Sequence, residues 1–109
     1  MVMRAMDKEP QEVQPGMLGT VLSCGERLTM VEMVLVQGVR VSRRQHPHEE
    51  VIYVVRGTAF FRVNDRGIAL AAGESVLIPS NTIHSGEALT DCTLITAYAP
   101  PIESLQELA

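Results

Sequence analysis

Arg44, His46 and Glu50 stand close together in the run Arg44-Gln45-His46-Pro47-His48-Glu49-Glu50, and such side chains can bind an anion, move a proton or hold a cation. Pro47 and its neighbours carry turn chemistry between two β-rich runs, so the segment is expected to form a tight hairpin. Side chains alternate along a strand, which puts Arg44 and His46 on one face. A three-residue loop at 47–49 then sets Glu50 opposite His46 on that face. On the outgoing strand Glu50, Ile52 and Val54 fall on one side, and Val51, Tyr53 and Val55 on the other; both sides are apolar, as in a covered sheet. An imidazole and a carboxylate in such an interior are costly unless they hydrogen-bond, pair or hold a cation. His48 sits at the turn and is expected to be exposed, within reach of swinging in. Glu49 reads as solvated, and Arg43 and Gln45 lie on the face opposite Arg44 and His46. His84, taken alone, reads as a satisfied core or surface histidine.

The elements that must position these groups are short β-rich runs: 19–23, 28–36, 39–41, 51–55, 59–63, 68–70, 75–78 and 93–98. Gly25, Gly38, Gly57, Asn64-Asp65, Gly73 and Pro79-Ser80-Asn81 punctuate them, and that regularity signals a sandwich or barrel. Residues 1–16 are polar, contain Pro10 and Pro15 and form an arm or edge segment. No segment before the tail has apolar residues at helical spacing over three turns; 104–108 can form one short helical turn. Tyr53 and Phe61 are expected to fill the barrel, and Tyr98 either to fill it or to stack on a ligand.

A chain of 109 residues, 46% hydrophobic and 20% charged, is a single globular domain with one core. Its net charge of −4 has the wrong sign for neutralising phosphates, and its four aromatic residues offer little for stacking bases, so nucleic acid is not an expected partner. No apolar run is long enough to cross a bilayer, and Met1 to Glu9 lack the pattern of a signal peptide. A cytoplasmic location is therefore expected. Cys24 and Cys92 sit in no CxxC or CxxH spacing and read as reduced, partly buried thiols.

Two stretches resemble the motifs of the cupin family. Gly38, Arg44-Gln45-His46, Glu50 and Gly57 follow the spacing of the first cupin motif, with Arg44 in place of its first histidine. Gly73, Pro79, Asn81 and His84 follow the second, with Asn81 where a second glycine stands; asparagine tolerates positive φ better than most residues. The second motif's terminal asparagine has no counterpart, since Ala88 occupies the place. The resemblance implies an all-β, RmlC-like double-stranded β-helix, or jelly-roll barrel, and a sheet-to-sheet homodimer.

In metal-bearing cupins the matching positions hold one divalent ion, so the resemblance implies His46, Glu50 and His84 as its ligands. A set of two histidines and one carboxylate suits iron, manganese, nickel, cobalt or zinc and leaves positions open for substrate. Arg44 has no lone pair to offer a metal. It either pairs with Glu50, giving a metal-free binding or epimerase-like pocket, or holds the anionic group of a small, oxygen-rich substrate beside the ion. Under the second reading the protein is an isomerase, lyase or oxygenase, with Arg44 steering the anion and His48 carrying a proton. The tail from Leu94 to Pro101 is similar to the closing strand of small cupins that open or isomerise unsaturated sugar acids. An aspartate and an arginine act there in that subset; Thr96 and Glu103 stand in this chain, so that reaction is not expected.

Overall fold

The computed structural model describes residues 1–108. Its first five strands are β1 (Gln11–Gln14), β2 (Met17–Cys24), β3 (Thr29–Leu35), β4 (Arg40–Arg44) and β5 (Glu49–Arg56). Five more follow: β6 (Thr58–Val63), β7 (Arg66–Ala71), β8 (Ser75–Ile78), β9 (His84–Ala88) and β10 (Cys92–Ala99). They form two antiparallel sheets, one in the order β1-β2-β3-β10-β5-β8 and the other β4-β9-β6-β7. The chain is all-β, and the jelly-roll expectation holds.

Period-two patterning explains how the sheets face each other. Along β3, Thr29, Val31, Met33 and Leu35 are buried; along β10, Cys92, Leu94, Thr96 and Tyr98 are. Ala59, Phe61, Leu70 and Ala88 meet them from the smaller sheet. Each large apolar side chain buried in this interior contributes about 1.5–3 kcal/mol, which is what holds two open sheets together. Ile102, Leu105 and Leu108, the last two in a 3-10 turn at Leu105–Leu108, close one end.

Four local readings change in the tertiary structure. The run 44–50 is not a hairpin: β4 pairs with β9 and β5 pairs with β10 and β8, so the turn crosses from one sheet to the other. His46 and Glu50 still converge, because the crossing brings both inward. Only one side of β5 is covered. Val51, Tyr53 and Val55 are 40%, 43% and 43% exposed, so Tyr53 lies on the outer face while Phe61 fills the interior as expected.

The other two changes concern strand β9 and Cys24. Strand β9 was not anticipated, since His84-Ser85-Gly86-Glu87-Ala88 has no apolar alternation; its neighbours β4 and β6 hold it on both edges. The N-terminal segment supplies β1, an edge strand on β2 whose Val13 is buried, in keeping with its reading as an arm or edge segment. Both cysteines are free thiols, Cys92 buried and Cys24 exposed rather than half-covered.

Candidate metal centre

Strand β4 delivers Arg44, the sheet crossing delivers His46, β5 delivers Glu50 and β9 delivers His84. Arg44 and His84 are direct cross-strand partners, so the arginine sits beside the last histidine of the set. Asn81, at φ 58°, turns the chain into β9; its amide donates to the His46 carbonyl at 2.8 Å and its carbonyl accepts from the Gln45 side chain at 2.7 Å. The left-handed turn that asparagine was expected to tolerate is therefore also what ties the two motifs together.

The Nε2 atoms of His46 and His84 both face Oε1 of Glu50, at 3.6 Å and 3.4 Å. One ligand atom from each of the three residues lies within 4.8 Å of the others. The His84 tautomer is set by its second nitrogen, because Nδ1–H donates to the Thr82 carbonyl at 2.8 Å. In the neutral ring the Nε2 lone pair then points at a carboxylate oxygen, an arrangement that needs a positive centre between them. A proton can supply it, and so can a metal ion. Bonds of about 2.1 Å to one ion at a tetrahedral angle put two ligand atoms about 3.4 Å apart, close to the two histidine–glutamate separations of 3.4 Å and 3.6 Å. Among the described residues both ring nitrogens of His46 are buried without a hydrogen-bond partner, which an ion at this point would relieve. The residues fit a divalent transition metal.

The electrostatics suit the same role. Burial pushes the Glu50 carboxyl up, but the His46 and His84 imidazoles and the Tyr98 hydroxyl outweigh it and hold the group at about 2. Burial disfavours the His84 cation, yet Glu50 and the Thr82 carbonyl more than compensate and raise it above an ordinary histidine. Burial, together with the Glu50 charge, lifts Tyr98 well above the usual phenol range, so it stays a neutral hydroxyl.

Arg44 does not pair with Glu50: among the described residues the carboxylate's ion-pair neighbours are the two histidines. Instead Nη1 of Arg44 donates to the Glu107 carbonyl at 3.3 Å, while its Nε is buried without a partner among the described residues. His48 is not exposed. Its side chain is 11% accessible because the C-terminal turn passes over it, with Nδ1 against the Pro100 carbonyl at 2.5 Å and Nε2 3.6 Å from the Glu107 carboxylate. The His48 ring lies 5.3 Å from that of His46, centroid to centroid. Glu49, Arg43 and Gln45 are exposed, as expected.

Thr96 is a site residue that local reading assigned no role, and Tyr98 one that it left open between barrel filling and ligand contact. Both line the same cavity as the ligand set. The signal was available: Leu94, Thr96 and Tyr98 alternate to one side of the closing strand, so an inward β10 face carries two hydroxyls toward the cluster.

A family model of the cupin domain matches residues 30–98, well over half of the chain, and takes in both motifs. The chain belongs to the cupin family. Comparison with curated proteins returns no match. Among solved structures, this cupin is similar to KdgF from Halomonas sp., at 23% identity and a TM-score of 0.91, over 94% of this chain and 96% of that one. An RmlC-like cupin from Shewanella frigidimarina matches at 24% identity and a TM-score of 0.90, over 94% of this chain and 92% of its own. A predicted oxalate decarboxylase from Thermotoga maritima matches at 21% identity and a TM-score of 0.81, over 92% and 99%. At these identities the likeness establishes the barrel and leaves the reaction to the residues of the site.

Proposed function

We propose that this cupin is a metal-dependent enzyme that holds one divalent transition ion through His46, Glu50 and His84 and acts on a small anionic molecule. The carrying observation is the pair of imidazole nitrogens directed at one carboxylate oxygen, in a buried cluster whose His46 nitrogens have no hydrogen-bond partner among the described residues. A bound ion supplies Lewis-acid polarisation or oxygen activation. The chain's own groups do the rest. Arg44 orients the anion, Tyr98 offers a neutral hydroxyl, and the apolar walls exclude water. His48 faces Glu107, so its contribution is to hold the C-terminal turn.

Titration calorimetry with manganese, cobalt, nickel and zinc tests the reading. One saturable site per chain is expected. His84 must release its proton to bind an ion, and that proton is held more firmly than in an ordinary histidine. Uptake therefore strengthens as pH rises through the elevated His84 value and releases a proton to buffer, while Glu50 stays ionised throughout. Absence of saturable binding to any of the four ions removes the proposal.

The exposed apolar face of the larger sheet, with Leu18, Met30, Val34, Val51, Tyr53 and Leu77, supports pairing with a second copy. Six strands at about 4.8 Å spacing and strands of about 20 Å give a projected face of about 600 Å², the same order as the roughly 800 Å² per partner of a stable dimer. Sedimentation velocity should give the dimer mass at micromolar concentration, and Val51→Glu should give the monomer. A monomeric parent protein sinks this expectation.

A further inference from the structure

The interior that surrounds the cluster is not polar. Beyond Arg44, His46, Glu50, His84 and the two β10 hydroxyls, its walls include Met17, Met33, Leu35, Phe61 and Leu94; Ser85 and Glu87 also border it, but they alternate with the inward His84 and Ala88 along β9 and are only partly buried. Such walls cannot satisfy the hydroxyl groups of a sugar acid or another oxygen-rich molecule, and each unserved hydroxyl is costly to bury. The free space is also small. A cavity of about 60 Å³ remains, enough for a few water molecules and far below the several hundred Å³ of an ordinary ligand pocket.

The space is small because the C-terminal turn enters it. Leu108 lines the cavity with its apolar side chain and is buried, and the neighbouring Glu107 carbonyl accepts from Arg44. The chain's own end thus places a branched aliphatic group among apolar walls and an oxygen on the guanidinium. Among the described residues the fit on the guanidinium is incomplete: the carbonyl serves one N–H, and the buried Nε–H meets no acceptor. A carboxylate brings a second acceptor oxygen and is the stronger partner for a guanidinium.

We infer that the ligand of this site is a short aliphatic carboxylate, its carboxylate on Arg44 and its branched hydrocarbon in the apolar cavity, and that it binds by displacing Leu108. The inference rests on the reading of the cluster as a ligand site. It narrows the substrate class away from oxygen-rich acids. Binding and the C-terminal turn compete for one volume and one donor, so loosening the turn favours the ligand.

Titration calorimetry with 4-methylpentanoate and with L-tartrate, on metal-loaded and chelator-treated protein, tests this. 4-Methylpentanoate is expected to bind at least roughly ten-fold more tightly than tartrate, given about 0.8 kcal/mol for each buried methylene. Arg44→Gln should weaken its binding roughly ten-fold or more, through loss of a charge-assisted contact. Leu108→Ala, with fold checked by circular dichroism, should tighten it several-fold. Equal or tighter binding of tartrate overturns the ligand class, and this comparison in the parent protein stands even where the Leu108 variant does not fold. Unchanged affinity in folded Leu108→Ala protein overturns displacement. Elemental analysis of the same samples separates the two readings: carboxylate binding without metal sinks the metal site alone, and metal binding with a preference for tartrate sinks this inference alone.

Discussion

Glu50→Gln protein, loaded with excess divalent metal and dialysed, retains no stoichiometric ion, whereas the parent chain retains one. Glutamine keeps the shape of glutamate but removes the negative charge, and its amide offers a ligand atom of much lower affinity. Loss of a ligand should cost at least what loss of its supporting shell costs in other sites, so affinity falls roughly 100-fold or more. The fold should survive, because the amide N–H groups of glutamine can donate to the Nε2 lone pairs that now face Oε1 at 3.4 Å and 3.6 Å. That makes this variant a cleaner probe than His84→Ala, which also leaves the Thr82 carbonyl without the imidazole N–H it accepts from. Elemental analysis by mass spectrometry reads the outcome. Full retention of metal in folded Glu50→Gln protein means that the carboxylate is not a ligand.

The second large effect is on stability. Gly57, the closing glycine of the first motif, sits at φ +87° where the chain leaves β5 in one sheet for β6 in the other. A Cβ there would lie 2.2 Å from the Asp91 carbonyl oxygen and 2.8 Å from the Cys92 Cβ. Backbone cannot move aside cheaply, so Gly57→Ala combines left-handed strain of about 1–2 kcal/mol with a clash. A total of about 4 kcal/mol or more is expected, a large share of the roughly 5–15 kcal/mol that holds a small domain folded. Gly38, at φ +90°, is the control, because among the described residues no atom beyond its chain neighbours lies within 4 Å of a Cβ built there. Gly38→Ala should show the conformational strain alone. Urea unfolding midpoints compare the two, and equal losses would remove the role assigned to the Asp91 contact.

These cases show what local rules carry. The glycine at 57, the asparagine at 81 and the spacing of His46, Glu50 and His84 are consequences of backbone conformation and strand alternation, which short segments express by themselves. The inward side of β10 follows from the same rule. By contrast, the sheet that each strand joins depends on partners far along the chain: the β4 partner β9 lies some forty residues on. Alternation along 40–55 is the same for a hairpin as for a crossing between sheets, so that distinction was not in the local pattern. Strand β9 itself has no apolar signature and is held by hydrogen bonds from both neighbours.

The sequence by itself determined the family, the barrel and the three residues that converge on one point, because turn residues and period-two alternation act at short range. Only the tertiary structure decided what surrounds that point. It separated Arg44 from Glu50, turned Tyr53 outward, covered His48 and placed Leu108 in the cavity. Each of these depends on contacts between distant segments, and a contact between residues 48 and 107 leaves no trace in either neighbourhood. The physical reason is that local sequence sets the direction of a side chain, while packing of remote segments sets what it meets.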